Sequence, residues 1–295
     1  AKLGPGYLVS MDLFWQWFVL SPQLGGGGDG ILVFNHPGRE DALHSVLLQI
    51  GEGVGQATRM AGALNALNVF QQGDPAYAFN DFKYVAPADY RVVGLEVFGK
   101  GDEYDTDGKF GSWYGHALDK GWYVGPAGSE DHHETNWGGA NLPKTVVIAR
   151  ANNQADIREA FLARRFYTVA QNENALRMNF EAIQGNQRLP MGSRIGTQDN
   201  TVQFEVGIRS TQAMDPLQDM SFELFSSQSG PGSNDEQRYL PLQTETGKNG
   251  RFTVSPADGK NWYFVRVKRG DRIVAVSAPI WIFKGSEPLP ECKPL

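Results

Sequence analysis

Trp122-Tyr123-Val124-Gly125-Pro126-Ala127-Gly128-Ser129-Glu130-Asp131-His132-His133-Glu134-Thr135-Asn136-Trp137-Gly138 is the stretch on which the reading of this chain turns. Its apolar head reads as a short buried strand. Its tail crowds carboxylates and imidazoles just past the strand end. Imidazole nitrogen and carboxylate oxygen are the usual ligands of zinc, manganese and iron. Asp131 and His133 are two apart, so an extended segment points both to one side and His132 to the other. The plain alternative is a polar surface loop with two adjacent histidines.

Upstream, Ile31-Leu32-Val33-Phe34-Asn35-His36-Pro37-Gly38 is a second apolar strand. It ends in a histidine and is stopped by a Pro-Gly turn. Arg91-Val92-Val93-Gly94-Leu95-Glu96-Val97-Phe98 reads as a third, with Glu96 near its C-terminal end. A helix is predicted over 39–50, where Ala42, Leu43, Val46, Leu47 and Ile50 recur at spacings of three and four. Further helices are predicted over 112–120, ended by Gly121, and over 154–165, with a further strand over 144–149 between them. Arg164 and Arg165 fall in the last turn of the latter helix. Positive charge suits the helix dipole there, and they read as solvated. Residues 7–20 mix strand-like and aromatic positions, 25–30 form a glycine-rich loop, and 51–90 show no clean period.

Strands alternating with helices predict an α/β layer or barrel. In such a barrel functional groups collect at the C-terminal ends of the strands. His36, Glu96, Asp131 and His133 meet that description and are the candidate metal ligands. Glu96 alternatively orients a histidine or pairs with a cation. Asp131, His133 and His132 are the candidate catalytic groups, His132 as a general acid. Arg39, Asn136 and Trp137 stand beside them in sequence and are the expected substrate contacts. His44 and His116 sit within predicted helices and read as structural.

From about residue 173 the pattern changes. Alternating strands are predicted at 176–182, 202–208, 221–225, 251–255, 261–268 and 272–283. Asn249-Gly250 and Gly270-Asp271 read as tight hairpin turns between them. Strands without intervening helices imply an antiparallel β-sandwich. The expected organisation is a metallohydrolase domain over 1–172, a β-sandwich over 173–286 and a tail over 287–295.

Composition narrows the partners. The chain has 295 residues, 41% hydrophobic and 20% charged. That is enough to build a core rather than a disordered polymer. A net charge of −6 without a basic patch argues against nucleic acid. The longest aromatic run, Leu13 to Leu20, is too short to span a bilayer and lacks the flanks of a signal peptide. The single cysteine, Cys292, can form no internal disulfide. No G-x-S-x-G elbow, Walker loop or Rossmann glycine pattern competes with the metal reading.

Together these residues resemble a known family. Val33-Phe34-Asn35-His36-Pro37-Gly38 resembles the His-Pro-Gly strand end of PHP-superfamily metal-dependent phosphoesterases. Gly94-Leu95-Glu96-Val97 resembles a later strand of theirs, and Trp113 through Asp131-His132-His133 resembles the approach to their Asp-x-His motif. Ile157 to Thr168, Met191-Gly192-Ser193 and Ser277 to Ile282 resemble the closing segment and C-terminal sandwich of the CehA/McbA-type branch. The resemblance implies a distorted β/α barrel, incomplete at its N-terminus, followed by an antiparallel β-sandwich. It implies two or three divalent metals, zinc before manganese or iron, with His36, Asp131 and His133 as ligands. It implies hydrolysis of phosphate mono- or diesters by a metal-activated water. The sandwich and the missing N-terminus, rather than the resemblance, suggest a secreted or periplasmic setting.

The family opens with a His-x-His motif, which is absent here. The expectation is therefore either that the first strands lie upstream of Ala1, as a bound companion segment, or that the barrel is degenerate and serves as a binding or structural surface protein. Hydrolysis of non-phosphate esters or carbamates is the third alternative.

Overall fold

The computed structural model describes residues 11–37, 79, 82–99, 103–105, 112–132, 135, 137–138, 141–213, 217–227 and 239–285. The predicted helix over 39–50 and the tail over 287–295 lie outside the described residues.

The N-terminal part is centred on one strand. β1 (Leu32–Phe34), β2 (Val92–Gly99), β3 (Glu103–Tyr104) and β4 (Gly125–Gly128) form a four-stranded sheet. β1 and β4 run parallel along the two edges of β2, and β3 pairs antiparallel with its last residues. All eight residues of β2 are buried, as expected of a parallel strand covered on both faces. Residues 11–19 form helix α1 (Met11–Val19) rather than the mixed segment expected. Its Trp15 and Phe18 are buried, and the Trp15 ring stacks on Trp122 at 5.5 Å. Helix α2 (Trp113–Asp119) is capped by Ser112, whose hydroxyl oxygen accepts from Gly115 N at 2.9 Å. Asp105 accepts from Tyr114 N at 3.1 Å and holds the same turn.

The expected β/α barrel is not present. Among the described residues no sheet closes into a barrel, and strand far outweighs helix. The overturning element is the unit β5 (Lys144–Val147), α3 (Gln154–Leu162), β6 (Phe166–Val169). Its order reads as a crossover, which would add a parallel strand. Instead the chain turns back after the helix, and β6 pairs antiparallel with β5, Lys144 opposite Val169 and Val147 opposite Phe166. β6 then pairs with β15 (Arg272–Ser277), so both strands join the sheet built by the C-terminal half.

That half is the β-rich part the sequence predicts. β7 (Leu176–Gln184), β8 (Gln187–Pro190), β10 (Val202–Ser210) and β13 (Asn249–Val254) form one sheet in the order β13-β10-β7-β8. β9 (Arg194–Thr197), β11 (Met220–Ser226), β12 (Gln243–Thr246), β14 (Gly259–Arg269) and β16 (Ile280–Lys284) join β5, β6 and β15 in the other. Between them lies a core that includes Phe180, Phe204, Phe222, Phe252, Tyr263 and Val265. Burial alternates strictly along β13, the signature of a strand with one face in the core. Gly270-Asp271 makes the expected turn, with Arg269 opposite Arg272. Asn249-Gly250 does not: both residues lie inside β13, paired with Gly207 and Val206, and the chain turns before them. The other face of the larger sheet packs Trp262, Phe264 and Trp281 against Tyr114, Trp122 and Tyr123, so the aromatic core under β2 continues into it.

Candidate functional site

Three of the candidate residues that the structure describes, His36, Glu96 and Asp131, meet near the C-terminal ends of β1, β2 and β4. β1 ends at Phe34, and two residues later His36 adopts a left-handed conformation, φ 53°. This turns its main chain and its ring toward β2. His36 N donates to Glu96 Oε2 at 2.7 Å, and His36 Nδ1 contacts the same oxygen. On the other side of the ring, His36 Nε2 lies 3.3 Å from Asp131 Oδ1. Asp131, three residues past β4, is also left-handed, φ 44°. Positive φ is uncommon for a residue with a Cβ, and two such residues in one site concentrate backbone strain there.

Glu96 is held on both oxygens. Ser129 Oγ donates to Glu96 Oε1, while Ser129 N donates to Phe98 O at 3.0 Å. Gly99 leaves the space this requires: a Cβ there would stand 2.9 Å from Glu96 Oε1. The Glu96 and Asp131 side chains are 5% and 7% exposed, and the His36 side chain 32%. The imidazole is therefore the member of the trio that solvent or a ligand reaches. Ser129 was missed from the sequence. The signal was available, because Ser129 and Asp131 are two apart and so share a side of an extended segment.

The remaining candidates divide. The main-chain oxygen of His132 accepts from Trp137 Nε1 at 3.2 Å, and Gly138 N donates to Glu130 Oε2 at 2.9 Å. These two bonds fold the loop back on itself and leave the Trp137 side chain exposed at its tip. Lys144 Nζ lies 3.9 Å from Glu130 Oε1. His133, Asn136 and Arg39 lie outside the described residues, as does His44. His116 is buried in α2 beside Phe82 and Trp113, as a structural histidine.

The geometry fits a divalent cation in part. Tetrahedral ligands bonded at about 2.0 Å sit roughly 3.3 Å apart. His36 Nε2 and Asp131 Oδ1 stand at that separation, 3.3 Å. The carboxylate on Nδ1 is the partner that a metal-bound imidazole ordinarily has. Glu96 and Asp131 take opposite nitrogens, however, so the three side chains do not converge on one point. Among the described residues no group of three or more His, Cys, Asp or Glu side chains does so. The trio supplies two donors and one orienting group.

At the opposite end of β2 the sequence reading needs correction. Arg164 is not solvated. It is 3% exposed and has φ 53°. Its guanidinium donates to five main-chain oxygens: Tyr123 O at 2.5 Å, Asp89 O at 2.7 Å, Val92 O at 3.0 Å, Tyr90 O at 3.2 Å, and Leu162 O. Beside it Arg194 stacks on the Tyr123 ring at 3.6 Å, and Lys260 Nζ approaches the same ring at 3.6 Å. Burial pushes the Tyr123 phenol up to about 12, with Arg194 opposing and Asp89 adding to the shift.

No family model and no curated protein matches the chain. Solved structures give distant likenesses. An entomopoxvirus fusolin is 16% identical over 35% of this chain and 44% of its own, with a TM-score of 0.21. A DUF3823 family protein from Bacteroides ovatus is 12% identical over 40% of this chain and 74% of its own, with a TM-score of 0.21. The endo-beta-1,4-mannanase from Thermotoga petrophila is 12% identical over 65% of this chain and 39% of its own, with a TM-score of 0.23. The chain spans less than half the length of the first of these. Among the described residues no helix is long and apolar enough to cross a membrane.

Proposed function

We propose that the chain is a metal-dependent hydrolase of phosphate esters, with its centre at His36, Asp131 and His133. The observation that carries this reading is the meeting of His36 and Asp131, 95 residues apart in sequence, at 3.3 Å. The resemblance to PHP-type phosphoesterases supplies the reaction class. Zinc is the favoured metal, with manganese or iron as alternatives. A bound divalent cation supplies Lewis acidity and lowers the pKa of water toward neutrality. The chain's own groups do the rest. Glu96 fixes the imidazole through Nδ1, which directs Nε2 to the shared position with Asp131. Ser129 holds Glu96 in that orientation. Trp137, exposed on the adjoining loop, offers an aromatic face to the organic part of an ester.

Purified protein should carry stoichiometric zinc, manganese or iron and hydrolyse an aryl phosphodiester. His36→Ala and Asp131→Asn should each lose metal and activity together. Metal-free protein that gains no activity from added zinc or manganese would remove the proposal. A panel containing carboxylic esters and carbamates separates phosphate hydrolysis from the other ester chemistries.

A second reading rests on the same ring. Both nitrogens of His36 face carboxylates, which also describes a strut tying β1 to β2 and β4 in a binding or structural protein. It predicts that His36→Ala lowers stability and leaves function unchanged.

A further inference from the structure

A cavity lies away from the strand ends. It is a cleft of about 480 Å³ between α3, the turn from β8 to β9, and Tyr90. That volume lies within the roughly 300–1,000 Å³ usual for small-molecule sites. Tyr90 precedes β2, so the cleft opens at the end of that strand remote from Glu96. Val92 and Glu96 are four residues apart on β2, which at a strand's rise puts them roughly 13 Å from each other.

Its walls are built from the chain upward. Met191, Gly192 and Ser193 carry the chain from one sheet to the other, between β8 and β9. Gly192 has φ 91°, and a Cβ there would run into Ala163 O. Only glycine lets this turn seat against the end of α3. Leu162, Ala163, Pro190 and Met191 give an apolar floor. Arg158, Arg164, Arg165 and Arg194 line it, four cations against the single carboxylate of Glu159, with Arg164 already committed to main-chain oxygens. Arg165 is paired with Glu159. Arg158 donates to the main-chain oxygen of Asp29 at 2.9 Å. Its guanidinium also lies 3.8 Å from the Asp29 carboxylate, a side chain 97% exposed, which makes a weak solvated pair.

Arg194 is the anchor. Its side chain is 13% exposed and stacks on Tyr123, which fixes its plane. Its nearest carboxylate, Asp89, is 4.0 Å away, beyond hydrogen-bond range. No hydrogen bond runs from its guanidinium to any described residue, in contrast to Arg164 beside it. A nearly buried guanidinium has five donors to place. Arg194 lines a cleft of ligand size. A planar oxyanion satisfies such a fork through two parallel bonds, which is the arrangement arginine favours with carboxylate and phosphate.

We propose that this cleft is a binding site for a small organic anion, in which an oxyanion head on Arg194, flanked by Arg158 and Arg165, carries an apolar body over Leu162 and Met191. It is separate from the strand-end centre and does not depend on the reaction proposed there.

The test is calorimetric titration of the whole chain with phenylphosphonate and benzoate, which carry no hydrolysable ester, and with inorganic phosphate. Phenylphosphonate, benzoate or both should bind, with inorganic phosphate weaker because it lacks the apolar body. Which of the two aromatic anions is tighter identifies the head group. Arg194→Gln should weaken binding at least about tenfold, the scale of one charge-assisted bidentate contact. Because Arg194 also packs on Tyr123, a second variant guards against misfolding. Ala155 lies exposed on the rim. Ala155→Trp should fill the cleft and abolish binding with an unchanged melting temperature. His36→Ala should bind as the parent does. The inference fails if neither aromatic anion binds, if inorganic phosphate binds as tightly, or if Ala155→Trp binds normally. It also fails if His36→Ala removes the binding, which would place the anion at the strand ends.

Discussion

The two ends of β2 each hold a buried charge, and they hold it differently. At the N-terminal end Arg164 places all five donors on main-chain oxygens contributed by Asp89, Tyr90, Val92, Tyr123 and Leu162. At the C-terminal end Glu96 is held by one hydroxyl, one main-chain N–H and one imidazole, all on segments just past strand ends. These oxygens belong to the start of β2 and to the turns and helix end packed around it, and all are committed to the guanidinium, so the cation is a fastener. The carboxylate's partners stand on segments past strand ends, and His36 and Asp131 sit in the left-handed region, as Arg164 does, so strain alone does not separate the two ends. Backbone strain that persists at a cluster of chemically competent groups is a reason to look for function there. The contrast teaches that burial of charge alone does not locate a site. What distinguishes the two ends is whether the partners are spent.

The sharpest way to break this contrast is to remove the fastener. Arg164→Met should destabilise the fold by at least about 3 kcal/mol, because several buried carbonyls lose their donor at once. Arg164→Lys should recover little of this, since an ammonium offers three donors from one point and cannot reach five oxygens. Denaturant titration measures both. A loss below about 1 kcal/mol for either variant would mean that water enters and replaces the guanidinium, at odds with a dry fastener.

At the other end the expected effect on stability is smaller and the effect on function larger. Glu96→Ala should cost about 2 kcal/mol, the range for hydrogen bonds to a charged group. Metal content and hydrolysis should fall with it, because His36 loses the group that orients its ring. Glu96→Gln should fare little better, since the amide has one acceptor oxygen where donors arrive from both Ser129 and His36. Ser129→Ala should cost about 1 kcal/mol and leave metal bound, since the other Glu96 oxygen keeps its partner. If Glu96→Ala cost as much as Arg164→Met, the two ends would be alike and the strand-end cluster would read as a second fastener.

The same contrast explains what the sequence could disclose. A strand-end carboxylate or imidazole announces itself by residue type and position, so the meeting of His36, Glu96 and Asp131 past the strand ends was legible. Arg164 was not. An arginine after a helix looks the same whether it is solvated or buried, and the left-handed turn that buries it has no signature in a non-glycine residue. The C-terminal strands were legible because alternation with period two survives in β7, β10 and β13. Strand direction was not. β5, α3 and β6 satisfy the periodicity of a crossover equally well, and only the return of β6 onto β5 shows otherwise. Asn249-Gly250 failed for a related reason. Turn chemistry marks where a chain can reverse, while the pairing of Asn249 with Gly207 keeps it extended.

The smallest effect expected lies beside the fastener, where Lys260 tests how dry that end is. Its Nζ donates to Gly121 O at 2.8 Å and shares the Tyr123 ring with Arg194. Desolvation lowers its pKa to about 8; Asp89 opposes the shift and the Arg194 charge adds to it. A lysine whose pKa is lower folded than unfolded binds fewer protons in the native state. The unfolded chain therefore holds the extra proton between about pH 8 and the ordinary lysine range near 10.4, and stability rises with pH across that window. Below about pH 8 the cost of the charged amine is constant. Much of the Lys260 surface is open to solvent, so the gain is modest. Lys260→Met should lose this rise while keeping the contact with Tyr123. Denaturation midpoints at pH 7.5 and 9.5 for parent and variant measure the difference. Equal slopes would mean that water reaches the ammonium freely, and that the dry region around Arg164 ends short of the Tyr123 ring.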